Sequence, residues 1–113
     1  MKLKRNKIAI FGSGQIAKTL SLTFKNSALI FCRPNFNAAL TESMLMMRLR
    51  FLLDNQNVFC IINCIGMNNI EECERNRELA YHINVIFPKI LAKYCISKGI
   101  ILKCNILLKS SEK

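Results

Sequence analysis

Nothing in the 113 residues approaches the ~18 consecutive apolar positions that a membrane-spanning helix requires, so an integral membrane protein is not expected. A secretory leader is not expected either. The basic start followed by Ile8-Ala9-Ile10-Phe11 imitates one, but Gly12 and Gly14 interrupt the run short of the roughly 7–15 residues of an apolar signal region. Bulky Phe31 before Cys32 likewise spoils a lipoprotein site. The six cysteines, at 32, 60, 64, 73, 95 and 104, contain no Cys-x-x-Cys. The one close pair, Cys60 and Cys64, has no histidine near it to complete a metal site, so structural zinc is not expected. Free thiols packed as small hydrophobes in a reducing cytoplasm are the natural expectation.

Acidic residues are scarce: seven Asp and Glu stand against 17 Lys and Arg, for a net charge of +10. Such an excess attracts nucleic acid, an anionic membrane surface or a phosphorylated ligand, and charge alone does not choose among them. There is no run of five basic residues of the kind found in nucleic-acid arms. The densest stretch, Lys2, Lys4, Arg5 and Lys7, is interleaved with Leu3 and Asn6. A solvated, lysine-rich surface is the expectation, with a small basic nucleic-acid-binding protein as the rival. No internal repeat, low-complexity tract or linker divides the chain. At 13.0 kDa it makes one domain, and 51% hydrophobic residues suffice for a core. Folding at this size buries somewhat above ~60% of the surface, so a missing strand or partner is felt as lost stability.

Apolar periodicity sets out the elements. Lys7 to Phe11 is a β-branched run ending at Gly12, and Ile16, Leu20 and Phe24 then recur at helical spacing from Gln15 to about Lys25. Ala28 to Cys32 reads as a second strand, stopped by Arg33-Pro34. From Thr41 to Asp54, the spacing of Leu40, Met44, Met47 and Phe51 predicts an amphipathic helix with those residues as its core stripe, an adaptable methionine-rich binding surface being the alternative. Asn57 to Asn63 lacks polar alternation, as expected of a central parallel strand covered on both faces. The acidic cluster Glu71, Glu72 and Glu74 suits a helix start, and a long helical pattern follows through Leu79, Ile83, Ile86, Ile90 and Tyr94 to Gly99 as a C-cap. Pro88 should kink it near Asn84. Another strand begins at Ile100. Strands that alternate with crossovers too long for hairpins predict an α/β, Rossmann-like, doubly wound parallel sheet, ending after about the fourth or fifth strand.

Gly12-Ser13-Gly14-Gln15-Ile16-Ala17 has the form G-x-G-x-x-A directly between the first strand and the first helix. Gly12 permits a tight turn, Gly14 leaves room for a pyrophosphate, and Ala17 lets the helix pack closely on the strand. First-turn amides and the positive end of the helix dipole then meet the anion. A nicotinamide or related dinucleotide is the expected ligand, with a purely structural turn as the alternative. An acid after the second strand would select NAD and an arginine NADP; Cys32 and Arg33 stand there, tilting the expectation slightly towards NADP over NAD.

The stretch Ile61-Ile62-Asn63-Cys64-Ile65-Gly66-Met67-Asn68-Asn69-Ile70-Glu71-Glu72-Cys73-Glu74, followed by Glu78-Leu79-Ala80-Tyr81-His82-Ile83-Asn84-Val85, resembles the N-terminal part of extended short-chain dehydrogenase/reductases. Within them it is most similar to the dTDP-4-dehydrorhamnose reductase-like and NAD-dependent epimerase/dehydratase-like sugar-nucleotide enzymes, over about residues 7–103. The resemblance implies that Gly12, Ser13, Gly14, Gln15, Ile16 and Ala17 hold the coenzyme pyrophosphate. It places Arg33 after the second strand, Cys64, Ile65 and Gly66 beside the nicotinamide-side ribose, and Asn84 in support of a catalytic proton relay. An Asn84 that merely satisfies backbone groups freed by Pro88 is the alternative. The family has one more residue between the first two glycines and Gly in place of Ala17.

Complete members carry a Ser or Thr at the end of the next strand and a later Tyr-x-x-x-Lys that acts as general acid or base. Tyr94-Cys95-Ile96-Ser97-Lys98 lies on the helix before that strand and is not expected to serve, and Ser110-Ser111 falls too far along. The expectation is therefore a cofactor-binding domain over 1–103 with a divergent tail over 104–113, the frame being lost near Lys103. It would bind its coenzyme without turning over the nucleotide-sugar substrate of a complete relative, and would self-associate through an uncovered sheet edge; a non-catalytic Rossmann interaction module that docks onto a full-length relative is a further alternative.

Overall fold

The computed structural model describes residues 4–33 and 35–104; of the predicted tail, all but Cys104 lies outside these, Ser110 and Ser111 included. β1 (Lys7–Phe11) is buried along its length apart from half-buried Lys7. α1 (Gln15–Phe24) follows, then a short 3₁₀ turn (Lys25–Ser27) into β2 (Ala28–Phe31). α2 (Glu42–Leu53) opens on Thr41, whose Oγ1 accepts the Met44 N–H at 3.4 Å, an N-cap of ordinary type. β3 (Val58–Asn63) leads to α3 (Ile70–Arg75), capped by Asn69 through the Glu72 N–H at 2.9 Å. α4 (Arg77–Tyr81), one π turn (His82–Ile86) and α5 (Phe87–Lys98) make a nearly continuous rod that ends at Gly99 in the left-handed conformation, φ 68°. β4 (Ile101–Cys104) completes the described chain.

The four strands form one parallel sheet in the order β2-β1-β3-β4, as an α/β doubly wound, Rossmann-like fold requires. Ala9 pairs with Leu29 on one side and Ile61 on the other, so β1 sits between its neighbours in the chain. Because side chains alternate along a strand, Ile8 and Ile10 pack with Cys60 and Ala17 against α1, while Ala9, Phe11 and Ile61 face α2 and α5. The larger of these layers joins Leu45, Leu49 and Leu53 of α2 to Phe87, Ile90, Leu91 and Tyr94 of α5. Over β4 the α1 side is barer: Ile101, the ladder partner of Cys60, is 55% exposed.

Pro88, second residue of α5, has no N–H to give and its ring crowds the carbonyl four residues back, that of Asn84. The rod answers by widening into the π turn over His82–Ile86 rather than breaking, which is the form taken by the expected kink.

The helix over 41–54 is present, but its core face is not the expected one. Leu45, Leu49 and Leu53 are buried, whereas Met44, Met47 and Phe51 are 52%, 66% and 77% exposed and Leu40 only half-buried. α2 is apolar around most of its circumference, so two stripes fit a helical period and spacing alone does not choose between them. Its rotation is decided by what the sheet and α5 accept, and they take the leucine stripe. The aromatic ring left outside is partly covered by Arg48, whose guanidinium lies 5.4 Å from the Phe51 centroid.

Two outcomes follow from this packing. Leu49→Ala should cost about 2–5 kcal/mol in urea denaturation, and Met47→Gln within about 0.5 kcal/mol of nothing; comparable losses at both would restore the methionine stripe to the core. Buried Cys95 has its thiol pushed up to about 11, by desolvation first and by the neighbouring Cys60 and Cys104 second. The unfolded chain releases that proton near 9, so the contribution is complete below pH 9 and is lost between there and 11. Stability measured across that window should fall less steeply in Cys95→Ala than in the parent.

Candidate functional site

The chain leaves β1 to build β2 on one side and later crosses to build β3 on the other, so the sheet has its topological switch point between β1 and β3. Loops leaving two neighbouring strands in opposite directions cannot fill the space between them, and a crevice opens beyond their carboxyl ends. Here that crevice is a cleft of about 450 Å³. It is walled by Gly12–Ala17 after β1, by Cys32, Arg33 and Phe36–Ala38 after β2, by Cys64–Gly66 and Asn68 after β3, and by Ile83.

Gly12 leaves β1 with φ +132°, a conformation that side-chain-bearing residues rarely adopt. A Cβ there would lie 3.0 Å from the Cβ of Cys64 and 3.2 Å from its carbonyl carbon. The close approach lets both neighbours continue the sheet: Gly12 N–H donates to the Phe31 carbonyl at 2.9 Å and Cys64 N–H to that of Phe11 at 2.8 Å. Gly14 has ordinary extended backbone, φ −75°, and a Cβ built on it meets nothing within 4 Å. It therefore faces open space in the cleft. α1 begins beside it without a side-chain cap, and its first backbone bond is Lys18 N–H to the Gly14 carbonyl at 3.0 Å. The N–H groups of Gln15, Ile16 and Ala17 precede any intrahelical acceptor and carry the positive end of the helix dipole. Ala17, 2% exposed, packs on β1 as a small residue must.

Among the residues lining the cleft, Arg33 is the one formal charge. Phe36, the one aromatic lining residue, is backed by a buried cluster: it meets Phe11 edge-on at 4.9 Å and lies 5.4 Å from Phe87, and Phe11 stacks on Phe31 at 5.1 Å. Asn63 turns the chain out of β3, its Oδ1 accepting the Ile65 N–H at 3.0 Å. Burial raises the Cys64 thiol above its ordinary pKa, so it lines the wall as a neutral group. Such a site, with free amides, one cation, no carboxylate and a glycine opening onto the helix start, suits an elongated anion with apolar rings.

Every residue of the predicted glycine turn lines this cleft, together with Arg33, Cys64, Ile65 and Gly66. Asn84 does not. Its Oδ1 accepts the Met67 N–H and its Nδ2 donates to the Met67 carbonyl, both at 2.8 Å, so the side chain clamps the loop after β3. Phe36, Asn37, Ala38, Asn68 and Ile83 were missed. Helical period marked Ile83 as apolar, but no local signal tells a core residue from a cleft-lining one; the others sit in irregular loops, where no period exists to read.

Tyr94 and Lys98 lie at the amino ends of the strands, away from the cleft. Tyr94 is 1% exposed and donates its hydroxyl to Asp54 Oδ1 at 2.7 Å, and Lys98 Nζ lies 3.4 Å from the same oxygen. Burial and the Asp54 carboxylate both hold the phenol far above its usual pKa. Nearby, Arg5 donates to the carbonyls of Lys98 and Gly99 at 2.8 and 3.2 Å. The cluster ties α2, α5 and the entry to β1 together. Among the described residues, no three His, Cys, Asp or Glu side chains gather to hold a metal, and no helix is long and apolar enough to cross a membrane.

No family model matches the chain, and no curated protein does either. Among solved structures, it is similar to a dTDP-4-dehydrorhamnose reductase, an RfbD ortholog, of Clostridium acetobutylicum, with a TM-score of 0.73 and 24% identity over 85% of this chain. It is also similar to the dTDP-4-dehydrorhamnose reductase of Bacillus anthracis in complex with NADP, with a TM-score of 0.67 and 22% identity over 90% of this chain. The chain spans 34% and 36% of their lengths. At these identities the likeness is one of fold, and it falls on the enzymes that the Ile61–Val85 stretch resembles.

Gly12→Ala should lower stability by about 1–3 kcal/mol, since the new Cβ meets both a disallowed φ and the Cys64 backbone. Thermal melts that leave Gly12→Ala level with the parent would show that the β1–β3 approach is looser than described.

Proposed function

We propose that the cleft binds a nicotinamide dinucleotide, NADP in preference to NAD, as the coenzyme-binding part of a sugar-nucleotide reductase-like protein. The observation that carries this is the turn Gly12–Ala17, seated at the switch point with an uncapped helix start and open space over Gly14. The complex of the Bacillus anthracis reductase with NADP supports it. In this reading the amides of Gln15, Ile16 and Ala17 hold the pyrophosphate, which nears the backbone because Gly14 lacks a side chain. Arg33 meets the 2′-phosphate of the adenosine ribose, and Ser13 borders the diphosphate. Cys64, Ile65 and Gly66 border the nicotinamide-side ribose, and Asn84 keeps that wall in place through Met67.

When bound, the coenzyme supplies a hydride, and in a longer relative the acceptor is a nucleotide sugar. This chain's own residues bind and orient the coenzyme and exclude water from one side of it. A proton donor for the sugar is not among them in our proposal: Tyr94 spends its hydroxyl on Asp54 and its proton is held tightly. Binding without turnover is therefore the activity we assign.

Titration with NADPH should raise the melting temperature of the full chain and enhance coenzyme fluorescence. Gly14→Asp should keep the melting temperature of the free protein, Asp being a favourable N-cap, and abolish the response by placing a carboxylate against the diphosphate. Arg33→Ser should weaken NADPH about tenfold, the order of one charge-assisted hydrogen bond, and leave NADH unchanged. Well-folded protein that responds to neither coenzyme would overturn the proposal, and a steep salt-dependent affinity for RNA or DNA in that protein would favour the nucleic-acid alternative.

A further inference from the structure

His82, Ile83 and Asn84 are consecutive in the π turn, and each serves a different part of the cleft. Ile83 is buried and lines it. His82 Nε2 hydrogen-bonds the Leu40 carbonyl; a carbonyl only accepts, so that ring nitrogen carries the proton. Leu40 closes the loop after β2: its N–H donates to the Asn37 carbonyl at 3.4 Å, and Asn37 Oδ1 accepts the Ala39 N–H at 2.9 Å. Asn37 and Ala38 form the cleft wall there. On the other side, Asn84 holds both polar backbone groups of Met67, whose neighbours Gly66 and Asn68 form the opposite wall.

Two loops from different strands, with no backbone bond between them among the described residues, are thus referred to one turn of one helix. A regular α-helix points successive side chains about 100° apart, and a widened turn frees backbone groups and re-aims its residues, which is why such turns recur at binding sites. We propose that the π turn is a brace that couples the wall after β2 to the wall after β3. His82 and Asn84 are then positioning residues for the dinucleotide, although neither lines its cleft. This rests on the coenzyme reading given under Proposed function.

The coupling is testable because its two halves are separable. Adenosine 2′,5′-bisphosphate, a probe confined to the adenosine side, is titrated with NADPH into the parent, His82→Ala, Asn84→Ala and the double variant. Asp54→Ala, altered at the far end of the sheet, serves as a stability control. A brace predicts that Asn84→Ala weakens the bisphosphate about tenfold although Met67 lies on the other wall, and that the double variant is hardly worse than either single one. The control should bind as the parent does at equal loss of melting temperature. In the parent, the bisphosphate should also slow hydrogen exchange at the Met67 amide, a measurement that needs no variant to fold. Bisphosphate affinity unchanged in Asn84→Ala, or Met67 exchange unmoved by the probe, overturns the brace while leaving the coenzyme site standing. A parent that binds neither NADPH nor the probe overturns both.

Discussion

The approach of Gly12 to Cys64 is the constraint on which the rest of this molecule depends. β1 and β3 are adjacent in the sheet yet separated in the chain by one strand and two helices, and their exits must diverge within one residue of the last ladder bond. Only a residue with no side chain passes there, since a Cβ at Gly12 would stand 3.0 Å from that of Cys64. Once it passes, the helix start is aimed across the crevice instead of over the strand ends. The anion-holding geometry is thus a by-product of closing a parallel sheet, which is why the switch point and the cleft coincide.

Packing on the two faces divides the labour. The layer between the sheet, α2 and α5 is thick and aromatic-rich, and Phe11, Phe36 and Phe87 carry it up to the floor of the cleft. The α1 layer is thin and is anchored by the small residue Ala17. At the other end of the sheet, Asp54, Tyr94, Lys98 and Arg5 join the ends of the helices to the strand entries. The tyrosine and lysine that imitate a catalytic pair in sequence are spent there as structural groups.

Much of the fold was legible in the chain because it was written in short-range terms. β1, β3 and the glycine turn follow from a β-branched run, an unalternating apolar run and two glycines at fixed spacing; the end of α5 follows from Gly99 and an irregularity near Asn84 from Pro88, though not its π form. The glycine turn, Arg33 and Cys64–Gly66 all came to one cleft for the same reason, each lying in the first few residues beyond the carboxyl end of a strand. The core face of α2 was not legible, since Met44, Met47 and Phe51 keep as good a period as Leu45, Leu49 and Leu53. Phe36, Asn37 and Ala38 were missed because an irregular loop has no repeat to betray which of its side chains turns inward.

Local chemistry, then, determined the strands, the turns, the caps and the placing of two bare residues before a helix, because backbone preference and hydrophobic period act over a few positions. Tertiary structure alone decided which apolar stripe of α2 faces inward, what Tyr94 and Asn84 bond to, and that one turn after α4 touches both sides of the crevice. Those are contacts between residues 17 to 42 positions apart. They exist only after the sheet has set the elements side by side, and no pattern along the chain encodes a distance that folding has yet to create.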